Sequence, residues 1–146
     1  RPQQTVEAWR NLWFHTGDAG MLSADGVLTF VDRIKDCIRW RGENISATQI
    51  EAAFATLDGV AEVAAYAVPS EIRGGEDEVM LAVVAQPGAG LTPEQVVAHA
   101  DGALPRFARP RYVAMLDALP KTATGKVQRA ALRKRGADGA WDRERG

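Results

Sequence analysis

Blocks of apolar residues alternate with polar turns along most of this chain, and their lengths predict β-strands. Met21-Leu22 and residues 27–31 flank the pair Asp25-Gly26, a pattern typical of a tight β-hairpin. Further apolar runs of strand length occur at 13–18, 37–40, 60–68, 79–85 and 111–116. The sequence therefore predicts an N-terminal hairpin followed by several more short strands.

Helix signals separate these runs. Ser46 with Gln49, and again Thr92 with Gln95, have the spacing of a capping box, in which each side chain bonds the backbone N–H of the other residue. An apolar stripe at helical spacing follows the first signal: Ile50, Phe54 and Leu57. Two further helices are predicted at 5–12 and 127–135, and the second is strongly basic.

The order of these elements indicates the fold class. From about Ile45 the chain reads helix, strand, strand, helix, strand, loop, helix. We expect a small α+β domain with a short, mostly antiparallel sheet flanked by helices, preceded by the β-hairpin. The polar tail at 136–146 is expected to be frayed.

Composition narrows the classes of function. The chain has 146 residues and a formal net charge of −1, which gives no reason to expect a nucleic-acid partner. Its single cysteine, Cys37, excludes an internal disulfide framework and a Cys-rich zinc site, and it fits a reducing cytoplasm. No apolar run reaches the length of a membrane span. Because the chain begins at Arg1 and not at Met, we expect it to be a piece of a larger protein.

One loop near the end of the chain carries candidate chemistry: Pro120-Lys121-Thr122-Ala123-Thr124-Gly125-Lys126. Gly125 lets the backbone approach a ligand closely, and Lys126 offers a cationic head that can reach a phosphate. A Walker A loop would need glycine in place of Pro120 and Ser or Thr in place of Val127, so this is not a triphosphate cradle. The structural alternative is a solvated turn before a basic helix.

Three other polar segments are candidates. Thr16-Gly17-Asp18 offers a carboxylate at a turn, suited to accept two neighbouring hydroxyls such as a ribose diol. Arg33 and Lys35 would share one side of an extended strand. Arg41-Gly42-Glu43-Asn44 is a charged glycine turn. Taken singly, each is also typical of an ordinary structural loop or a solvated charge run.

Together and in this order, these segments resemble the adenylate-forming superfamily, which includes acyl-CoA synthetases, peptide-synthetase adenylation domains and firefly-type luciferases. The resemblance covers about residues 7–135. It rests on the segments Thr16-Gly17-Asp18, Asp32-Arg33-x-Lys35-Asp36, Arg41-Gly42-Glu43-Asn44-Ile45-Ser46 and Pro120-Lys121-Thr122-x-Thr124-Gly125-Lys126. The second and third segments are most similar to acyl-CoA ligases of the carnitine/crotonobetaine or fatty-acid type.

The resemblance implies a role for each candidate residue. Asp18 would hold the ATP ribose and Arg33 would contact the nucleotide. Lys35 would be the hinge about which a small domain rotates. Lys126 would be the catalytic lysine of adenylation, while Gly42, with Arg41 beside it, would line the CoA channel for thioester formation.

The resemblance also implies a domain organisation. Residues 1–31 would end a large N-terminal AMP-binding domain, 32–36 would be the hinge, 37–135 the mobile C-terminal domain and 136–146 a flexible tail. The phosphate loop, the acyl pocket and the glutamate that holds Mg²⁺ with ATP would belong to the N-terminal domain. We therefore expect no metal site and no adenylation by this chain alone.

Two alternatives to an acyl-CoA ligase remain at this point. Peptide-synthetase adenylation domains share the same motifs, although they commonly carry glutamine after the Asp-Arg pair. A free-standing binding module that docks onto a partner protein is the other alternative. Mere docking would not require an intact Lys126 loop, which argues mildly against the module.

Overall fold

The computed structural model describes residues 2–40, 42–71 and 75–146. The chain divides into two compact units, Arg1–Lys35 and Asp36–Gly146. We call them unit 1 and unit 2 and describe each by itself.

Unit 1 is built around an antiparallel hairpin. Helix α1 (Pro2–Ala8) and a 3₁₀ turn (Arg10–Leu12) precede strands β1 (Asp18–Leu22) and β2 (Leu28–Arg33). The strands pair antiparallel around Gly26, whose φ of 84° is accessible to glycine without strain. The hairpin predicted from Asp25-Gly26 is thereby confirmed.

The prediction of a strand over residues 13–18 is wrong. Residues 13–17 have no regular structure, and β1 begins only at Asp18. Asp18 pairs with Arg33, the last residue of β2, so the residues before Asp18 have no partner strand in this hairpin. Gly17, with φ of 74°, turns the backbone just before β1 begins.

Unit 2 contains a four-stranded sheet built from β5 (Val60–Pro69), β6 (Asp77–Ala85), β7 (Tyr112–Met115) and β8 (Trp141–Asp142), which lie in that order across the sheet. Strand β5 pairs antiparallel with β6, β6 pairs parallel with β7, and β7 pairs antiparallel with β8. A separate small hairpin, β3 (Ile38–Trp40) and β4 (Glu43–Ile45), precedes this sheet.

Helices cover both faces of the sheet of unit 2, because its strands alternate between two apolar clusters. Helices α2 (Ala47–Phe54) and α3 (Pro93–Ala103) contribute Phe54 and Val96 to one cluster, and α4 (Arg129–Arg135) contributes Leu132 to the other. Both capping signals mark helix starts, since the hydroxyls of Ser46 and Thr92 accept the Gln49 and Gln95 N–H groups. The architecture is the predicted small α+β fold.

The C-terminal segment differs from the expected frayed tail. Trp141 and Asp142 form β8 and pair with Val113 and Tyr112 of β7. Trp141 packs against the apolar cluster that includes Phe54. Strand pairing and apolar contact therefore attach this segment to the sheet, although its sequence is mostly polar.

Candidate functional site

The two predicted nucleotide-binding residues are neighbours in unit 1. Asp18 and Arg33 form a cross-strand pair at the open end of the hairpin, and the Arg33 Nε lies 2.6 Å from Asp18 Oδ1. The Asp18 N–H also donates to the Thr16 hydroxyl at 3.1 Å, which shapes the turn before β1. Both side chains keep substantial exposure, 31% for Asp18 and 53% for Arg33, so a ligand can reach the pair.

The predicted hinge residue is not in a strand. Strand β2 ends at Arg33, and Ile34–Asp36 form a 3₁₀ turn that contains the exposed Lys35. Arg33 and Lys35 therefore do not share one side of an extended strand, and that prediction is wrong. The sequence signal failed here because a dense polar run does not show where strand pairing stops.

The loop that carries Lys126 is a closed hairpin held by its own backbone. An isolated β-bridge joins Lys121 to Val127, and the Thr122 N–H donates to the Lys126 carbonyl at 2.8 Å. The Thr122 hydroxyl accepts the Lys126 N–H at 3.1 Å, and the Gly125 N–H donates to the Thr122 carbonyl at 2.9 Å. The tight turn requires the φ of +80° found at Gly125. These bonds give Lys126 a defined backbone position.

The same loop is attached to the sheet at its base. Lys121 Nζ lies 2.5 Å from Glu62 Oε2 on β5, and Gln128 Nε2 donates to the Lys121 carbonyl at 2.6 Å. Val127 packs against the apolar cluster that contains Leu132. Lys126 itself is exposed, and no ion pair joins it to any residue that the structure describes. The result is a cationic side chain presented outward from an anchored turn.

Gly42 lies on a different hairpin of unit 2, in the turn between β3 and β4. Its φ is 83°, and a Cβ added there would meet nothing within 4 Å. Its backbone N–H donates to the Glu76 carboxylate, at 3.0 Å from Oε2. Arg41, the other residue predicted at the CoA channel, lies outside the described residues.

Unit 2 also contains an arginine-rich cleft that the sequence did not indicate. Its volume is about 580 Å³, and its lining includes Trp40, Phe107 and four arginines: Arg106, Arg109, Arg111 and Arg143. Arg111 is surrounded by carboxylates, with Glu144 at 3.2 Å and Glu78 at 3.3 Å. Glu78 and Glu144 also line the cleft, and Arg109 and Arg143 both pair with Asp101, so carboxylates already neutralise much of its positive charge. The segment 106–111 supplies three of the arginines and Phe107, but the sequence did not show that Trp40 and Arg143 would join them from distant parts of the chain.

In residues 2–40, 42–71 and 75–146, no three His, Cys, Asp or Glu side chains are grouped so that they could hold a metal. None of the helices in the described part of the chain has the length and apolar character that crossing a bilayer requires.

Comparison with known proteins identifies relatives of the chain. It is 38% identical over 132 residues to 4-hydroxybutyrate–CoA ligase 2 of Metallosphaera sedula, which covers 90% of this chain and 24% of the relative. It is 35% identical over 134 residues to the long-chain-fatty-acid–CoA ligase FadD13 of Mycobacterium tuberculosis, covering 92% and 26%. The chain thus spans about a quarter of the length of these relatives.

A solved structure and a family profile agree with these relatives. ATP-bound MatB from Rhodopseudomonas palustris matches with a TM-score of 0.80 and 32% identity, covering 92% of this chain and 26% of that one. Residues 49–126 match the profile of the AMP-binding enzyme C-terminal domain, a segment that contains the Gly125-Lys126 turn. The chain therefore belongs to the family of AMP-binding enzyme C-terminal domains.

Proposed function

We propose that this chain is the lid of an acyl-CoA ligase. The complete enzyme converts a carboxylic acid and ATP into acyl-AMP and pyrophosphate, and then transfers the acyl group to the thiol of CoA. The observation that carries the proposal is Lys126, an exposed ammonium on a hairpin whose backbone is closed by the Lys121–Val127 bridge. The relatives named as CoA ligases support the same conclusion.

In the first step, an oxygen of the acid bonds to the α-phosphorus of ATP. The bond from that phosphorus to the bridging oxygen breaks, and pyrophosphate leaves with the electron pair. One anion attacks another, so a positioned cation should provide much of the catalysis. Lys126 supplies that charge, while Asp18 accepts the ribose hydroxyls and Arg33 contacts the nucleotide.

In the second step, the CoA sulfur bonds to the acyl carbon, the bond from that carbon to the AMP oxygen breaks, AMP leaves with the electron pair, and the thiol proton passes to solvent. Rotation of unit 2 about Lys35 withdraws Lys126 and brings the Gly42 turn to the site. Hinges of this kind are a few residues at element ends that absorb backbone change.

The exposed apolar surface of unit 1 supports the proposal that another domain packs against this chain. None of the buried hydrophobic residues in the described chain lies in unit 1, whereas Trp13 and Leu28 are 75% and 72% exposed. A surface of this kind marks an interaction site. We propose that a large N-terminal AMP-binding domain covers it and supplies the acyl pocket and the magnesium ligands. The single cysteine suits a reducing compartment, and we propose a cytoplasmic location.

The test compares the two half-reactions in the complete ligase. For Lys126→Ala, we expect pyrophosphate formation to fall by about 10²- to 10³-fold. Thioester formation from supplied acyl-adenylate and CoA should stay within about threefold of the parent, because Lys126 is then away from the site. Lys134→Ala, which removes an exposed lysine of α4, is the matched control and should leave both rates unchanged. Parental pyrophosphate formation by Lys126→Ala would refute the proposal.

A further inference from the structure

Arg129, three residues after Lys126, is the centre of a group of charges in unit 2. Its Nη2 donates to both oxygens of the Glu51 carboxylate on α2, at 2.7 Å and 2.8 Å. Its Nε donates to the Ala65 carbonyl on β5 at 3.3 Å. The Arg129 and Glu51 side chains are only 21% and 20% exposed, so water screens this pair less than it screens a surface ion pair.

The group extends to the residue that follows the proposed hinge. Asp36, the first residue of unit 2, is 9% exposed and accepts a hydrogen bond from Arg133 Nη2 at 3.0 Å. Arg129 Nη1 lies 3.9 Å from the other oxygen of Asp36. Glu51 also accepts the Ala65 N–H at 2.9 Å. Two arginines of α4 are therefore matched by two carboxylates, one of them adjacent to Lys35 in the chain.

Helix α4 depends on these contacts for its direction. It has 7 residues, and no side-chain hydrogen bond caps its start at Gln128. A helix this short is unstable by itself in water, so tertiary contacts must hold it. Leu132 provides an apolar anchor with 2% exposure. A buried leucine still permits some rotation, whereas Arg129 fixes an orientation because two of its nitrogens meet different acceptors, Nε the Ala65 carbonyl and Nη2 the Glu51 carboxylate.

We propose that Arg129 is a positioning residue for the adenylation step, which locks the Lys126 loop to Asp36 and so to the hinge. The inference rests on the proposed function and adds a residue to it. When the chain rotates at Lys35, Asp36 is the first residue of unit 2 to move. Because Asp36 and Glu51 both contact α4, the Lys126 loop moves together with them. Arg129 itself touches neither substrate nor the reacting atoms.

The first test uses the complete ligase with Arg129→Lys, which keeps the charge but cannot reach the Ala65 carbonyl and the Glu51 carboxylate with two nitrogens at once. Displacing a reacting group by about 1 Å can cost about 10²-fold in rate, so we expect pyrophosphate formation to fall by roughly ten- to a hundredfold. Thioester formation from supplied acyl-adenylate should remain within about twofold. Arg145→Lys is the matched control and should leave both rates unchanged, because Arg145 also pairs with a carboxylate, Glu71 at 2.7 Å, but is not among the residues that line the arginine-rich cleft.

The second test follows amide hydrogen exchange in this chain itself and does not require catalysis. The N–H groups of Gly125 and Lys126, which donate to Thr122, should exchange at least several-fold faster in Arg129→Lys than in the parent. The amides of α3 should exchange as in the parent, which would show that the fold is intact.

Three results would overturn the inference. Parental pyrophosphate formation by Arg129→Lys would show that the contact is irrelevant to adenylation. An equal fall in both half-reactions together with a lower melting temperature would show that Arg129 only maintains the fold. Unchanged exchange at Gly125 and Lys126 would show that the loop does not depend on Arg129. Failure of the proposed function is distinguishable, because it appears as parental pyrophosphate formation in Lys126→Ala.

Discussion

The carboxylate of Glu76 accepts the backbone N–H of Gly42, at 3.0 Å from Oε2 and 3.2 Å from Oε1. Gly42 lies at the tip of the β3–β4 hairpin, and Glu76 comes just before β6. The side chain of Glu76 thus restrains the turn between β3 and β4. In the proposed function, this turn faces CoA during thioester formation.

We therefore expect Glu76→Ala to slow the CoA step selectively. Losing the acceptor leaves the Gly42 turn less restrained, and the bond is exposed, so the effect should be modest, about two- to tenfold in thioester formation from supplied acyl-adenylate. Pyrophosphate formation should be unchanged. The measurement is the rate of each half-reaction in the complete ligase.

Glu76→Gln is the matched control for this prediction. Its amide oxygen still accepts a hydrogen bond, so the variant should retain most of the parental thioester rate. If glutamine were as harmful as alanine, or if both half-reactions fell together, the bond to Gly42 would not be the cause.

Gly125 offers a test of the conformation of the lysine loop. A Cβ added there would meet nothing within 4 Å, but the φ of +80° disfavours any residue with a side chain. We expect Gly125→Ala to lower the free energy of unfolding by about 1 kcal/mol. Urea denaturation of this chain measures the change.

Gly102 provides the comparison within the same chain. It lies in α3, and a Cβ there would also meet open space, without a left-handed backbone. Because alanine restricts the unfolded chain more than glycine does, Gly102→Ala should raise the free energy of unfolding by about 0.4–1 kcal/mol. A change of the same sign in both variants would contradict the role assigned to the turn at Gly125.

The attachment of β8 should depend on pH through Asp142. Burial raises the pKa of Asp142, but the Glu144 N–H at 2.9 Å and the nearby Arg111 and Arg145 outweigh it, leaving the pKa below its ordinary value of 3.8. Because the pKa of Asp142 is lower in the folded state, its ionisation stabilises the fold at any pH above the ordinary pKa. This stabilisation is lost as the pH falls through the pKa of the folded state. We expect the free energy of unfolding to decline below about pH 4.

Two variants isolate that contribution. Asp142→Asn should be less stable than the parent at pH 7 and should show a shallower decline between about pH 5 and 2. Asp138→Asn removes an exposed carboxylate from the preceding turn and should follow the parental curve. Identical pH curves for the parent and Asp142→Asn would exclude Asp142 as the cause.

The features that sequence patterns predicted correctly are those with local causes. The turn at Asp25-Gly26 and the capping box of Thr92 and Gln95 are complete within a few residues, so their signals are readable along the chain. The motif around Lys126 is local in the same sense. Thr122 and Gly125 close this loop through hydrogen bonds that span at most a few residues.

The features that the sequence did not indicate depend on distant partners. Trp141 and Asp142 form a strand because β7 pairs with them, and nothing in their own residue types requires it. Arg129 follows the lysine motif directly, but its contact with Glu51 joins residues 78 positions apart. Single-sequence patterns do not contain such pairings, because they arise only when the sheet brings remote segments together.

The hairpin closed by Lys121 and Val127 has a practical consequence for protein engineering. Since it carries its own backbone bonds, residues 120–128 form a transferable cassette that could be grafted onto a related sheet. The recipient would need a carboxylate at the place of Glu62 to pair with Lys121, and a second carboxylate at the place of Glu51 to pair with Arg129. Swaps that respect these two attachment points should preserve the direction in which the lysine is presented.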